Sequence, residues 1–524
     1  MHTHIRTHAA LALLLLGSTA LATLNAAEWA IDSEEEWAAA LASQTGLTLS
    51  DGVARVEGES ATFSSLVQRF DARRQVRSLT LKQVDSWLNW TPIANIGPAN
   101  LGDAPVALAL GPQNYWMFGR YSDGKGKGKG KGKGKGKNKK GGDAEPQADN
   151  FVAEDAQVAG FDIPLKTTRW PRQFNAPGGL QPGLGGYHAW QSRDMVNWVH
   201  HGPVTEGFSR WVTTAEHIDG KTLIYYDYPN DQDPHCYVDD DLTDGKPGKN
   251  IGLVFADPSH GSDCTFIRDL DGALHVIYED WSPINAKENA WDSPLAGHAV
   301  SATGLGDFTI LAPAVDERTT PTGKIGTFPH PHWKQHPDWD NNIAEYEIHE
   351  PAQNAFGDWA AIAIGGQYYL FGDFDHAHAE GEARKPMQVA WFTSADINQQ
   401  FSFCGSIGEG HPDPEICFAE GRFHLITQQQ TDYVSSGPWV EQVEARVGVD
   451  VDDDGSIDQW TDWAVISESY DHIAGFAKQI SRTPAQLDCA ALPAGHGFGF
   501  ELRITVSTSN GVVPEIDSLR LIYE

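Results

Sequence analysis

A chain of 524 residues with a formal net charge of −33 is long enough to bury a large core, and length alone suggests two to four domains. That charge argues against nucleic acid and anionic membranes as partners, because a chain that seeks phosphates needs a concentrated basic face. Aromatic residues at 10%, with 53 glycines and 29 prolines, suit short strands and frequent turns, so an all-β fold is the expectation.

Residues 1–27 run from a His/Arg-bearing start through "AALALLLLGSTALATL" to small residues at "NAA". The apolar run is too short to span a bilayer stably and reads as a secretory signal, which predicts a secreted or periplasmic protein. No later stretch reaches 18 uninterrupted apolar residues, so no membrane span is expected. Residues 28–45 read as one short amphipathic helix, and 61–83 as strands.

Between residues 88 and 440 one phrase recurs: an apolar strand, a glycine turn and a second apolar strand. It appears at 102–121, 210–229, 262–281, 357–375 and 411–429. Asp103, Asp358 and Asp413 each precede a turn glycine (Gly111, Gly366, Gly421) by eight residues, and Asp263 precedes Gly272 by nine. The second repeat has Val212 in that place. Strand-like pieces between the repeats, such as 187–204 and 387–407, bring each repeat to four strands, which predicts a five-bladed β-propeller. In such a ring the first strand of every blade lines the axis, so the four aspartates are expected to meet at one end of the channel. The same aspartates also suit plain strand-start chemistry, in which a carboxylate accepts backbone N–H groups at a blade tip.

Two stretches interrupt the repeats. Residues 124–142 alternate Gly and Lys, which can build neither a core nor a regular element and predicts a solvated loop. "TFPHPHW" at 327–333 and "EIHEP" at 347–351 carry His330, His332 and His349, but His-x-His spacing alone is weak grounds for a metal. After the repeats, 441–524 reads as strands that neither end of the chain could bury alone, so 28–87 and 441–524 together predict an accessory β-sandwich. Within it, "DVDDDGSID" places Asp450, Asp452, Asp454 and Asp458 at positions one, three, five and nine of a calcium-loop pattern, with Thr461 where a twelfth-position acid belongs. Calcium and an ordinary acidic hairpin turn both stay open, and no organic cofactor is expected. The five cysteines are odd in number and widely spaced, and read as small buried hydrophobes more readily than as disulfides.

The phrases "WQSRDMVNWVHHGPV" and "WFTSADINQQFSF" resemble the outer-strand signature of five-bladed propeller glycoside hydrolases, and "HIDGKTLIYYDY" resembles their second-blade strand pair. That group includes arabinanases, xylosidases, invertases and the neoagarooligosaccharide hydrolases. In the arabinanase type an Asp opening blade one is the general base, an Asp opening blade three tunes acidity, and a Glu opening blade four is the general acid. The resemblance therefore implies Asp103 as base and Asp263 as modulator, while Asp358 stands where the family has Glu. The neoagarooligosaccharide type uses a histidine as acid, which implies His332 or His349 here.

Hydrolysis with inversion needs one carboxylate to deprotonate water and one acid to protonate the departing oxygen, about 6.5–9.5 Å apart. Sugar faces pack on flat aromatic rings, which makes Trp211 and Trp281 candidates for substrate contact. Arg120, Arg210, His188 and Asp413 fall near the same channel end and complete the expected binding set. A second reading is a propeller-type polysaccharide lyase, which needs a His or Tyr base and an Arg or metal to neutralise a uronic carboxylate; Tyr187, His188, His217 and Arg210 suit it. A third is a glycan-binding propeller without catalysis. In all three the partner is a polysaccharide or oligosaccharide, an algal one among the candidates, and the sequence does not speak to the oligomeric state.

Overall fold

The structure is a computed structural model that describes residues 27–121, 154–179, 186–207, 211–227, 234–255, 263–279, 295–316, 354–376, 383, 385–410, 412–428, 431–435, 443–506 and 515–524. The expected signal (1–27, save Ala27), the Gly/Lys loop and the histidine-rich stretches lie outside them. The chain is all-β, with one α-helix and one 3-10 turn among the described residues. No helix among those residues is long and apolar enough to cross a membrane.

The chain divides into two compact units. The first is Met1–Asn89, Ser436–Ser469 and Thr483–Glu524, and the second is Trp90–Ser435 with Tyr470–Arg482. The first unit holds two sheets. One is centred on Glu515–Tyr523 between Val53–Val56 and Val76–Gln83, and the other on Gly495–Thr505 between Ser60–Ser65 and Val443–Asp450. Burial alternates along these strands: Val443, Ala445, Val447 and Val449 are buried, as are Phe498, Phe500, Leu502 and Ile504. Aromatic rings join the two sheets, with Phe70 4.6 Å from Tyr523 and Trp29 5.6 Å from Phe500.

The expected helix over 28–45 is shorter than the sequence suggested. Only Glu34–Ala40 is helical, between strands Ala27–Ile31 and Leu41–Thr45. Ser33 caps its start by accepting Glu36 N–H, and three glutamates occupy the first turn. The flanks become strands because pairing partners are available: Ala27–Ile31 lies along Leu519–Tyr523, and Leu41–Thr45 along Thr62–Ser65.

The second unit contains five sheets. Their first strands are Leu101–Ala109, Trp211–Ile218, Thr265–Arg268, Ala355–Ile364 and Glu415–Ala419, and each pairs antiparallel with the strand that follows it. Each first strand neighbours the first strand of the next sheet, and that of sheet five neighbours that of sheet one, so the five close a ring. The turn glycines Gly111, Gly272, Gly366 and Gly421 all adopt positive φ, which is why glycine recurs there. Sheet five takes its last strand from the start of the unit: Trp90–Ala94 pairs with Thr431–Ser435.

The apolar cores lie between consecutive sheets. Val106, Phe118 and Tyr187 of sheet one meet Val212, Ile224 and Tyr226 of sheet two, and Tyr225 of sheet two stacks at 3.6 Å on Phe266 of sheet three. Ile267 and Ile277 meet Phe356 and Trp359 of sheet four, while Cys417 and Ile426 of sheet five meet Met117 and Trp190 of sheet one. All five cysteines are unbridged, and only Cys404 is exposed. The segment Tyr470–Arg482 differs from expectation: it lies within the stretch read as sandwich, yet it joins the ring unit, where Gln479 and Ile480 run parallel to Ala363 and Ile364.

Candidate active site

The four aspartates singled out by the repeat share one backbone conformation. Asp103, Asp263, Asp358 and Asp413 have φ of 70°, 57°, 51° and 40°, in the left-handed region where Asp and Asn are among the few tolerated side chains. Register slips accompany them between Phe118 and Arg120 in sheet one and between Gly357 and Ala360 in sheet four. Such bulges re-aim a side chain at a strand start. Val212 in sheet two stays buried and without positive φ, so that sheet contributes no acid at this position.

Asp103 receives two hydrogen bonds on the same oxygen. Arg120 Nε donates to Oδ2 at 2.8 Å, and the Tyr187 hydroxyl donates to Oδ2 at 2.8 Å. Arg120 sits 4.9 Å above the Trp211 ring and 5.1 Å above that of Tyr187, so three of the expected residues, Asp103, Arg120 and Trp211, come together with Tyr187 as a fourth. Neither bond uses Oδ1. Burial first, and the Asp103 charge after it, push the Tyr187 hydroxyl well above the ordinary tyrosine range, so it stays a donor.

The carboxylates of the other sheets form a crowded group. Asp263 N–H donates to Asp227 Oδ2 at 3.1 Å, and Asp413 N–H donates to Asp373 Oδ1 at 2.8 Å. An acid at the end of the second strand in one sheet thus holds the aspartate that opens the next sheet. Trp359 N–H donates to the Asp263 carbonyl at 3.1 Å, which sets Asp358 beside Asp263. One oxygen each from Asp358, Asp373 and Asp413 lies within 4.8 Å of the others, close enough to compete for one proton. Burial first, then the charges of Asp263, Asp413, Asp373 and Glu279, raise the Asp358 carboxyl well above the ordinary aspartate range.

Asp227, Glu279 and Asp373 were not singled out from sequence. Asp227 and Glu279 end their second strands at "YYDY" and "IYED", Asp373 lies two residues before the end of its own at "FGDFD", and that recurring acid was the available signal. His188 is 2% exposed and turned into sheet one, its Nδ1 3.0 Å from His200 Nε2 with the Tyr121 and Trp190 rings around it. Trp359 is 2% exposed and belongs to the core with Phe356 and Phe392. Arg210, Trp281, His332 and His349 lie outside the described residues.

In the first unit, Asp450, Asp452 and Asp454 offer oxygens within 4.8 Å of one another. Backbone groups already support the loop: Asp450 accepts from Asp453 N–H at 2.8 Å and Gly455 N–H at 2.9 Å, and Asp458 from Val451 N–H at 2.6 Å. Arg69 binds Asp453 from the neighbouring strand.

No protein family's sequence profile matches this chain, and no curated protein does. Among solved structures, a thermostable family-43 glycoside hydrolase shares 12% identity over 65% of this chain and 89% of its own, with a TM-score of 0.34. The arabinanase of Bacillus subtilis shares 12% over 65% and 96%, at 0.31. An exo-β-1,3-galactanase from Phanerochaete chrysosporium, solved with β-1,3-galactotriose, shares 8% over 82% and 100%, at 0.34. At such values the chemistry rests on the site's own geometry.

Proposed function

We propose that this chain is a secreted glycoside hydrolase whose catalytic centre lies at the mouth of a five-bladed β-propeller, with the first unit as an accessory β-sandwich. The closed order of five first strands supports the ring, and the aromatic contacts between two sheets support the sandwich. The observation that carries the chemistry is the contrast between Asp103 and Asp358. Asp103 is held by a guanidinium and a hydroxyl through one oxygen, so the other oxygen is placed to take a proton from water. Asp358, surrounded by acids, keeps its proton and gives it to the departing glycosidic oxygen. Asp263 and Asp413 hold that proton on Asp358 by repulsion. Trp211, under the Arg120 guanidinium, forms the wall of the sugar site.

Elimination suits these residues less well. Tyr187 is a buried donor to Asp103, Arg120 is engaged by the same carboxylate, and His217 bonds Thr222 Oγ1 at 3.2 Å near the trailing end of its strand. The test is to incubate the full-length protein with a panel of algal and plant glycans and to follow reducing ends and the absorbance of unsaturated uronates together. Reducing ends without that absorbance are expected, and Asp103→Asn should lower the rate at least about 100-fold with its melting midpoint retained. Absorbance from elimination, or full activity in that variant, would overturn the assignment.

The loop at Asp450, Asp452, Asp454 and Asp458 is proposed to take calcium, on the strength of its spacing and folded backbone. Calcium added to chelator-treated protein should raise the melting midpoint, and an unchanged midpoint rejects the ion.

A further inference from the structure

The segment Tyr470–Arg482 reaches all five sheets of the ring. Ala477 lies in the core shared by Val106 and Leu108 of sheet one and Val212 and Ala215 of sheet two. Gln479 Nε2 donates to the Arg268 carbonyl of sheet three at 2.7 Å, while the Lys478 and Ile480 carbonyls accept from Ala363 and Gly365 N–H of sheet four at 2.8 Å each. His472 and Tyr470 lie 5.1 and 5.4 Å from Phe418 and Phe423 of sheet five. Several of these partners, Arg268, Ala363, Gly365 and Phe418, fall toward the trailing ends of first strands, away from the ends that carry Asp103, Asp263, Asp358 and Asp413.

Inside this strap Lys478 is 4% exposed, an environment that lysine almost never occupies without partners. Its Nζ donates to Thr214 Oγ1 at 2.9 Å, to the Phe266 carbonyl at 2.7 Å and to Thr265 Oγ1 at 3.5 Å. All three acceptors are neutral, so none of them balances the ammonium. Two buried acids stand on the first strands of sheets two and five: Glu216, two residues along its strand from Thr214, at 1% and Glu415 at 3% exposure. Burial drives both carboxyls up, Glu415 to about 7, and the Lys478 charge is the leading opposing influence on each. Glu216 Oε1 accepts His217 N–H at 3.0 Å, and behind Lys478 the Arg268 backbone N–H and guanidinium also favour its ionised form.

We propose that Lys478 is a tethered counter-ion for the ring's axis, delivered by the strap to neutralise Glu216 and Glu415 and thereby to hold sheets two, three and five together. The cation that a cluster of hard oxygens would otherwise recruit is here part of the chain. This holds whatever reaction the mouth performs, so its test needs no substrate.

The experiment compares melting midpoints of the full-length protein as four forms: native, Lys478→Met, Glu216→Gln with Glu415→Gln, and all three changes together. Removing one side of a buried charge set leaves the other uncompensated, whereas removing both sides is far milder. Lys478→Met and the double glutamine variant should each fall by at least about 5 °C, and the triple variant should recover at least half of the larger loss. If Lys478→Met fails to fold, a triple variant that does fold supports the proposal equally. A triple variant no better than Lys478→Met, or a double glutamine variant as stable as the native protein, would overturn the proposal and leave Lys478 as packing alone.

Discussion

In the proposed reaction two aspartates of one ring take opposite parts because their charged neighbours differ in sign. Arg120 and Tyr187 donate to Asp103, whereas Asp358 faces Asp263, Asp413, Asp373 and Glu279. An acid catalyst must hold its proton at the working pH, so raising the Asp358 carboxyl extends activity toward alkaline pH. Activity is then lost as pH rises through that raised value, and the acids that raise it set where the alkaline limb falls. Replacing Asp263 or Asp413 by Asn removes one repelling charge, stabilises the Asp358 carboxylate and lowers its pKa. The alkaline limb of kcat/KM should therefore move to lower pH in Asp263→Asn and in Asp413→Asn, with the folded state retained. Profiles of each variant against the native enzyme measure it, and an unmoved limb or one displaced upward rejects Asp358 as the acid. Asp413 keeps its N–H bond to Asp373 in such a variant, so position and charge are separated.

At the level of elements, what was legible in the chain is what a strand pair writes into its own sequence. Asp-Gly and Gly-Gly turns, apolar alternation and the acid eight or nine residues before the turn are local, and they located the first two strands of every sheet and the four opening aspartates. The outer turn of sheet one was equally visible. In Ser192–Trp198, Asp194 accepts Val196 and Asn197 N–H at 2.9 and 2.7 Å, and although burial acts to raise its carboxyl, these bonds win and lower it. Contacts between sheets leave no such mark. Asp227 serves Asp263 across 36 residues and Asp373 serves Asp413 across 40, and a period-two pattern reports only which face a side chain takes, not whose backbone it meets. The strap was misplaced for a related reason. "YDHIAGFAKQI" has the composition of the strands around it, and the burial of Lys478 against Thr214 and Thr265 distinguishes it. The helix was overextended because its flanks carry helix-compatible residues, and tertiary pairing overrode propensity there.

A ring of sheets has one seam, and in this molecule it lies in sheet five. Trp90–Ala94 pairs with Thr431–Ser435 although more than 330 residues separate them, so the seam carries the loop-closure entropy of almost the whole unit. Asp432 sits on it at 0% exposure and fastens both sides: Oδ2 accepts Ile96 N–H at 2.8 Å and Oδ1 accepts Thr427 N–H at 2.9 Å. Burial raises its carboxyl to about 6, outweighing those two bonds. A folded-state pKa above the unfolded one means the native form binds the proton more tightly. The stability this adds is present in full below the unfolded value and is lost as pH rises through the folded one. Between pH 5 and 7.5 the seam should thus weaken by about 1 kcal/mol from this group alone. Asp432→Asn carries no titrating group there, so the native protein's free energy of unfolding relative to that variant should be larger at pH 5 than at pH 7.5 by about that amount. Paired urea titrations at the two pH values cancel every other ionisation common to both proteins. A difference that stays constant with pH, or grows toward pH 7.5, would mean that Asp432 is ionised throughout and that the seam is held by a carboxylate rather than by an acid.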